Sequence, residues 1–481
     1  MRNSDPTPRP ATARWLLLMA ALATLGPAAA HAQTTPTPAA VVATAAAPAP
    51  ALESPRMERL RATLAAGGST QSFWRDVAAS GGPLVEPGAN AQEALVTFLW
   101  RGTPATRSVK VSWAMRTESG FVLTQLAHSD VWFLTLRLPA GLRAAYQMVP
   151  DATIPPGADR MARAKAEDAV ARPDPLNRTP LWPQPPTHPA VSAERTAPRS
   201  VLRLPGALQE PWAAADVAPA VPRGTLEHTR LASTLLANER DISIYLPAQA
   251  SRSTTAALPL PLLVLFDREA YLDRVDMPAV LDALIAQRRI PPLAAVLVSN
   301  PTRALRATEL PAHPAFADFL ALELMPWLRT RHPQLSPHAR DVVVAGSSYG
   351  GLASAWAGFR HPQTFGNVLA LSGSFWWGPG NVQYQPDFNR FGEGEWLTRE
   401  FAASVRLPLR FFMTAGLMEH ALTGDGGGIL ETSRHLRTVL QAKGYPVHYQ
   451  EFAGGHDYYA WRGELAQGLV VLLGEQATAQ K

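Results

Sequence analysis

The strongest constraint on the fold is a run of apolar residues at 342–345 that leads directly into Gly-Ser-Ser-Tyr-Gly at 346–350. The pattern Gly-x-Ser-x-Gly is typical of a nucleophile elbow, in which a buried strand turns sharply into a helix and exposes the central serine. Gly346 and Gly350 are small enough for the close backbone approach that this turn requires. The short pattern also occurs by chance, but here a strand pattern precedes it and a helix-favouring segment follows it. We therefore predict that Ser348 is a catalytic nucleophile.

The amino terminus predicts export. Three arginines in the first 14 residues precede an apolar run at 15–22, and Ala-His-Ala at 30–32 offers a cleavage site, so a cleaved signal peptide is expected over residues 1–32. A membrane anchor is the alternative, but the apolar segment is short and interrupted by Gly26-Pro27, so no stable anchor is expected. The absence of cysteine excludes disulfides, thiol catalysis and thiolate metal sites. An exported protein without disulfides fits the periplasm of a Gram-negative bacterium.

The charge balance is mildly basic. The formal net charge is +5, and removing the three arginines and one aspartate of the signal peptide leaves +3. No basic helix and no Arg/Lys cluster interleaved with aromatic residues is present, so we expect no nucleic-acid partner. A weakly basic surface favours an anionic small ligand.

Composition divides the first half of the chain into three parts. Residues 33–56 are rich in Ala, Pro and Thr, which predicts a disordered tether. Alternating β-branched and aromatic residues between Gly, Pro and Ser turns predict a small immunoglobulin-like β-sandwich over 57–171. Its candidate strands are 96–100, 109–113 and 131–136. Prolines crowd residues 172–224, so we predict a stiff interdomain linker there.

The second half, residues 225–481, alternates strand and helix patterns. This alternation predicts an α/β domain, in which helices cover both faces of a parallel sheet. Two amphipathic segments, 317–329 and 429–443, are predicted helices. The candidate strands are 241–246, 262–266, 294–299, 342–345, 368–371, 409–414 and 447–452.

A serine nucleophile needs a base and an acid that orients the base. In α/β-hydrolases these follow the serine in the order acid, then histidine. His456 lies in a glycine-bearing loop just after the final predicted strand, so we predict that it is the base. Glu419 follows the strand at 409–414 and is the candidate acid, with Asp457 and Asp425 as alternatives.

Acyl transfer also needs hydrogen-bond donors for the developing oxyanion. We expect one from the N–H of Tyr349 and another from Arg268 or its immediate neighbour, in the loop after an early strand. Candidate substrate-binding residues occupy two further loops after strands, where open α/β sheets bind ligands. They are Arg303, Arg306, Glu309, Trp376 and Trp377. Surface charge and core packing are the alternative interpretations of these side chains, and no cluster has metal-ligand spacing.

Several of these stretches together resemble the enterochelin (enterobactin) esterases, an esterase D-like branch of the α/β-hydrolases. The motifs are Leu-Phe-Asp-Arg-Glu at 265–269, Arg-x-x-Glu-Leu-Pro at 306–311, the elbow at 344–352, Ser-Gly-Ser-Phe-Trp-Trp at 372–377 and Gly-Gly-His-Asp at 454–457. Further matches at 73–74, 96–102, 130–132 and 174–177 resemble the amino-terminal sandwich domain of that group. The resemblance covers most of the chain from about residue 70 onward.

The resemblance implies a serine esterase that hydrolyses a ferric catecholate siderophore, with iron as part of the substrate and no protein cofactor. It implies that Arg306, with Arg303 and Arg268, faces the anionic ligand, and that Trp376 and Trp377 stack on catechol rings. Two other functions stay open. One is a general periplasmic esterase for feruloyl-like or other carboxylic esters, and the other is a non-catalytic siderophore-binding protein.

The sequence departs from the family pattern in three places. Arg268 stands where the family usually has glycine, which affects the oxyanion loop. The export signal differs from the cytoplasmic members, and the linker is long and proline-rich. The oligomeric state is not indicated by the sequence.

Overall fold

The computed structural model describes residues 53–113, 121–181, 198–208, 210, 221–248, 259–380, 394–420 and 428–478. The predicted signal peptide, most of the predicted tether and Asp425 lie outside these ranges. Ala51–Lys481 forms one compact unit that contains both the sandwich and the α/β domain.

The amino-terminal part is the predicted β-sandwich, and its described residues form two antiparallel sheets of four strands each. In sheet order, the strands of the first sheet are β1 (Leu84–Pro87), β2 (Glu93–Arg101), β5 (Val131–Pro139) and β4 (Thr124–Gln125). Those of the second are β3 (Val109–Trp113), β6 (Arg143–Pro150), β8 (Arg199–Arg203) and β7 (Pro180–Leu181). Phe98, Trp113 and Tyr146 pack edge to face between the two sheets. The helices described in this part of the chain are α1 (Pro55–Ala65), α2 (Gln71–Ser80) and α3 (Arg160–Asp168).

The predicted linker is wrong in its boundaries, because β7 and β8 lie within 172–224 and complete the sandwich. Residues 199–203 read Arg-Ser-Val-Leu-Arg, and the central residues of this strand are buried. The prolines on either side, Pro198 and Pro205, bound the strand without interrupting its ladder. The tether also ends earlier than expected, since Ser54 is buried and donates a hydrogen bond to Glu86 as it caps α1.

In the α/β domain, the residues that the structure describes form one sheet of eight strands in the order β16-β15-β14-β13-β11-β12-β10-β9. The strands are β9 (Thr225–Ser233), β10 (Asn238–Leu246), β11 (Leu262–Leu265), β12 (Ala294–Val298), β13 (Val342–Ser347), β14 (Asn367–Leu371), β15 (Arg410–Gly416) and β16 (Val447–Phe452). The prediction of a parallel sheet is confirmed for β11 to β16. The first two strands pair antiparallel, and the sequence patterns missed β9 because this edge strand carries polar residues on its exposed face.

Helices cover both faces of this sheet, and each face has its own apolar core. The helices are α4 (Arg268–Asp273), α5 (Met277–Ala286), α6 (Arg303–Glu309), α7 (Pro314–Asp318), α8 (Met325–Arg331), α9 (Tyr349–Arg360), α10 (Trp396–Ala403), α11 (Ile429–Ala442) and α12 (Tyr458–Thr478). A π-helical segment, Phe319–Leu324, joins α7 to α8, and a 3-10 turn, Ala339–Asp341, precedes β13. Among the residues described, no helix is long and apolar enough to cross a membrane.

Candidate active site

The turn between β13 and α9 has the geometry of a nucleophile elbow. Ser348 adopts φ 60° and ψ −123°, a conformation that non-glycine residues rarely occupy and that is typical of strained functional turns. A Cβ atom on Gly346 would lie 2.6 Å from the backbone carbon of Gly350, so only glycine fits there. A Cβ on Gly351 would lie 2.9 Å from Gly373 Cα. The predicted strand, turn and helix are therefore confirmed.

Four adjacent parallel strands present polar side chains at one edge of the sheet. Ser348 follows β13, Ser372 follows β14, Glu419 follows β15 and His456 follows β16. Three strand spacings separate β13 from β16, or about 14 Å. Only a loop that extends past the end of its strand can span that separation, which fits the glycine pair that precedes His456.

The carboxylate of Glu419 contacts His456 directly. Oε1 lies 2.6 Å from Nδ1 of the imidazole. Oε2 accepts hydrogen bonds from the Ser372 hydroxyl at 2.7 Å and from the Gly416 N–H at 2.5 Å. The Glu419 side chain is 2% exposed, whereas that of His456 is 35% exposed. The acid is thus fixed beneath a base that remains accessible to a substrate.

The alternative acid Asp457 binds elsewhere. Its Oδ2 accepts the N–H of Ala145 at 2.9 Å, and its Oδ1 accepts the N–H of Tyr459 at 3.1 Å. The geometry therefore agrees with the choice of Glu419, whose catalytic role stays a prediction.

Two side chains that sequence reasoning did not select support this pair. Trp461 places its ring edge against His456, with the ring centroids 4.6 Å apart, and its Nε1–H donates to Ser372 Oγ at 2.9 Å. Ser372 therefore joins Trp461 to Glu419. A serine directly after β14 was the only sequence signal for this bridge, and its partners are 47 and 89 residues away.

The surroundings of the nucleophile are set by the loop after β14. Ser374 Oγ lies 3.5 Å from Ser348 Oγ, and the Ser374 N–H donates to the Ser348 carbonyl at 3.0 Å. Tyr349 is the first residue of α9, a position at which N–H groups have no acceptor within the helix. This arrangement is compatible with the predicted oxyanion donor at Tyr349.

The side chain of Arg268, the predicted second oxyanion donor, is buried. Its guanidinium donates to Ser243 on β10 at 2.6 Å and to Glu269 at 2.8 Å. The expectation that the Arg268 side chain faces the ligand is therefore wrong, because its guanidinium is buried and bonded within the protein. The expected oxyanion donor at Arg268 or its immediate neighbour stays a prediction. Its neighbour Asp267 has φ 56° and occupies the turn itself.

Asp267 lies beside the elbow and is held by Arg306. Arg306 donates to Oδ1 at 2.5 Å and to Oδ2 at 2.7 Å. A Cβ on Gly350 would lie 3.7 Å from Asp267 Oδ2, so this carboxylate borders the first turn of α9. Further along the same segment, burial raises the pKa of the Tyr271 phenol well above its usual range. The charge of Arg306 is thus partly neutralised by the Asp267 carboxylate, in a loop that borders the nucleophile.

The remaining predicted binding residues have different environments. Glu309 is buried and holds the buried Arg240 through two hydrogen bonds of 2.9 and 3.1 Å, so its predicted contact with substrate is wrong. Arg303, at the start of α6, is exposed. Trp376 is half-buried, with its ring centroid 5.9 Å from that of Tyr349, and Trp377 packs edge to face on Trp396.

Within the described ranges, no three His, Cys, Asp or Glu side chains are placed so that they could hold a metal ion.

Comparison with known proteins identifies both parts of the chain. The family described as "Enterochelin esterase, N-terminal" matches residues 95–213, and the family described as "Putative esterase" matches residues 233–472. The iron(III) salmochelin esterase of Escherichia coli O6:H1 is 30% identical over 433 residues, which cover 86% of this chain and 97% of that protein. The iron(III) enterobactin esterase of Escherichia coli K12 is 30% identical, with 78% of this chain and 90% of that protein covered.

Comparison with solved structures leads to the same family. The ferric enterobactin esterase of Salmonella typhimurium superposes with a TM-score of 0.66 at 26% identity, covering 85% of this chain and all (100%) of that chain. The enterobactin esterase of Shigella flexneri, solved in the presence of enterobactin, gives a TM-score of 0.62 at 27% identity over 83% of this chain and 97% of that chain. Together with the sandwich, the nucleophile elbow and the four residues at adjacent strand ends, these matches establish that the chain is a carboxylic-ester hydrolase of the α/β-hydrolase fold and belongs to the enterochelin esterase family.

Proposed function

We propose that this protein hydrolyses the ester bonds of a ferric catecholate siderophore such as enterobactin. The observation that carries the proposal is the contact of 2.6 Å between Glu419 and His456 at the same sheet edge as the strained Ser348. The relatives that match nearly their whole length are named for iron(III) salmochelin and iron(III) enterobactin. Opening the ester ring of such a ligand lowers its preorganisation for iron and so eases release of the metal.

The reaction begins when Ser348 Oγ attacks an ester carbonyl and His456 takes the hydroxyl proton. Because Nδ1 of His456 is engaged by Glu419, Nε2 is the nitrogen that receives this proton. The N–H of Tyr349 and a second N–H from the loop after β11 stabilise the oxyanion. His456 then returns the proton to the departing alkoxide, which leaves an acyl-enzyme on Ser348.

Deacylation repeats the sequence with water. His456 removes a proton from the water molecule as its oxygen attacks the acyl carbon, and the proton passes to Ser348 Oγ as the ester bond breaks. The products are a free carboxylic acid and the regenerated serine. Every proton transfer uses this chain's own residues, so we propose that no resident cofactor takes part and that iron arrives with the substrate.

Substrate binding is proposed to use the loops around Trp376 and Arg303. Trp376 is half-buried against Tyr349 and offers an aromatic surface for a catechol ring. Arg303 is exposed and attracts the negative charge of the complex, whereas part of the Arg306 charge is offset by Asp267. Arg306 then acts chiefly through the loop that borders the nucleophile.

Product analysis tests the activity. Ferric and iron-free enterobactin are incubated separately with the mature protein, with Ser348→Ala and with Ser354→Ala. The products are separated by liquid chromatography and identified by mass spectrometry. Ser354 is a matched control because its hydroxyl donates to the Gly350 carbonyl within α9. Linear trimer, dimer or monomer of dihydroxybenzoylserine is expected from the wild type and Ser354→Ala, and none from Ser348→Ala.

The other outcomes separate the alternatives. Intact trilactone with every protein, together with turnover of simple aryl esters, indicates a general esterase. Tight binding of the ferric complex with no turnover of any ester indicates a binding protein.

We further propose that the protein is exported to the periplasm, with cleavage after Ala32. Amino-terminal sequencing of protein recovered from the periplasmic fraction should begin at Gln33. Recovery of the uncleaved chain from the cytoplasm would exclude export.

A further inference from the structure

The loop that carries His456 is held by the amino-terminal sandwich. This histidine loop, residues 453–457, joins β16 to α12. On the sandwich side, the described pairing of β6 with β3 begins at Tyr146, and the first residues of β6 lie beyond the described part of β3. There the Arg143 N–H donates to the Ala453 carbonyl at 3.1 Å, and the Ala145 N–H donates to Asp457 Oδ2 at 2.9 Å.

These two donors are two residues apart on one strand, so both face the same side, as the N–H groups of a β-ladder do. The histidine loop therefore occupies the place of the next strand. Its approach is close, because a Cβ on Gly454 would lie 3.2 Å from the Arg143 carbonyl oxygen. Met418, the neighbour of Glu419, also packs against the core of the sandwich.

A buried ion-pair network surrounds this contact. Glu210 receives hydrogen bonds from Arg143 of the sandwich and from Arg462 of α12, and the side chains of Arg143 and Glu210 are 5% and 1% exposed. The guanidinium carbons of both arginines lie 4.7 Å from the ring centroid of Tyr459, and Arg143 also donates to the Tyr459 carbonyl at 3.0 Å. Separating the sandwich from the loop would leave buried charges without partners, which is strongly unfavourable.

Asp457 connects these contacts to the base. It is directly bonded in the chain to His456, and its carboxylate divides its two oxygens between the sandwich and the first turn of α12. We propose that Asp457 is a positioning residue, through which the edge of β6 holds His456 at the distance required for proton transfer. On this proposal the sandwich contributes to catalysis itself, and the effect appears in kcat. The inference deepens the proposed function and rests on the role given there to His456.

Two substitutions separate the sandwich contact from helix capping. Serine is a good N-cap residue but too short to reach β6, so Asp457→Ser keeps the cap and loses the bond to Ala145, whereas Asp457→Ala loses both. We expect both variants to lower kcat by about 10- to 100-fold with little change in KM, because a misplacement of about 1 Å can cost that much. Asp159→Ser is the matched control, since Asp159 caps α3 in the sandwich through the Ala162 N–H and should leave kcat unchanged.

The assay uses a simple aryl ester, so it does not depend on the siderophore. A second comparison repeats Asp457→Ser in the His456→Ala background. Because Asp457 acts through His456, the double variant should be no slower than His456→Ala alone. If Asp457→Ser does not fold, Asp457→Asn replaces it, since one amide oxygen cannot accept both N–H groups.

The results that contradict the proposal are specific. Wild-type kcat in Asp457→Ser would mean that Asp457 only caps α12. An equal loss in the wild-type and His456→Ala backgrounds would mean that the residue supports the fold and not the base. If Ser348→Ala and His456→Ala themselves keep full activity, the proposed mechanism fails, which is a different result from a neutral Asp457 variant.

Discussion

Nδ1 of His456 lies 2.6 Å from Oε1 of Glu419, while the second oxygen of that carboxylate accepts two further hydrogen bonds. The second oxygen is therefore an obligatory acceptor, since both of its donors are buried. This leaves only one oxygen to orient the imidazole. Glutamine has only one side-chain oxygen, so it cannot replace Glu419 in both roles.

Glu419→Gln should lower kcat by about 10³- to 10⁴-fold with little change in KM. The single amide oxygen must face the donors of Ser372 and Gly416, so the NH₂ group is directed at His456 Nδ1. That donor stabilises the tautomer with its proton on Nε2, which cannot accept the proton of Ser348. Steady-state kinetics on an aryl ester measures the effect. Glu239→Gln, at an exposed ion pair on β10, is the control, and equal rates in the two variants would contradict this role for Glu419.

Ser372→Ala should lower both activity and stability. The variant removes the acceptor of the Trp461 N–H and one of the donors to Glu419. A buried group that loses its partner costs about 1–3 kcal/mol of unfolding free energy. Ser433→Ala is the control, because the Ser433 hydroxyl is buried and has no hydrogen-bond partner among the described residues. Urea unfolding should show a larger loss for Ser372→Ala, and equal losses would mean that the bridge has no energetic importance.

Gly346→Ala should destabilise the protein by more than about 3 kcal/mol, as substitutions that force backbone strain do. The new Cβ would lie 2.6 Å from the Gly350 backbone, which cannot move without displacing α9. Gly444→Ala measures the cost of a left-handed backbone conformation without steric crowding. Gly444 has φ 75°, and nothing lies within 4 Å of its Cβ position. A cost of about 1–2 kcal/mol is expected there. Similar denaturation midpoints for the two variants would contradict the crowding argument.

Glu309→Ala should cost about 3–5 kcal/mol of unfolding free energy, because it leaves the buried Arg240 guanidinium unpaired. Arg303→Ala, at an exposed position of the same helix, should change stability by less than about 0.5 kcal/mol. The opposite ranking in chemical denaturation would contradict the importance of this buried ion pair for stability.

Glu464→Gln should raise the melting temperature at pH 8 and lose this advantage at pH 4. Burial raises the pKa of Glu464 above its usual 4.5. Its contribution to stability is therefore fully present below the unfolded pKa and is lost as the pH rises through the folded pKa. The amide variant does not ionise, so it avoids that loss.

Glu451 is a comparison in which the pKa shift has the opposite sign. The hydrogen bonds from Arg434 lower the pKa of Glu451, so its stabilisation is present above the unfolded pKa and is lost as the pH falls through the folded pKa. Glu451→Gln should therefore lower the melting temperature at pH 8 and have less effect at low pH. Thermal unfolding monitored by circular dichroism at both pH values distinguishes the two, and parallel curves would contradict the assigned shifts.

The parts that sequence could predict are those with local signals. The elbow at Ser348 requires only a strand, two glycines and a helix in succession, and all of these are adjacent in the chain. Glu419 is a candidate on the same ground, because an acid directly after a strand stands at the carboxyl edge of a parallel sheet. Position along the chain is enough for such residues, since the sheet determines where they meet.

The parts that failed depend on partners far along the chain. Glu309 pairs with Arg240, 69 residues away, and Arg268 donates to Ser243, 25 residues away. A charged residue after a strand has the same local sequence whether it faces a ligand or a buried counter-ion. Asp457 and Ala145 are separated by 312 positions, and nothing in either segment indicates the other.

The contact between β6 and the histidine loop has a further consequence. Backbone donors at a strand edge that no neighbouring strand covers can pair with any other chain that forms a strand, which is a known route to aggregation. Here the residues that follow β16 cover those donors. The same two hydrogen bonds from the backbone of β6 therefore protect the edge of β6 from self-association and align the base. A variant that loses these bonds would lose both the protection and the alignment.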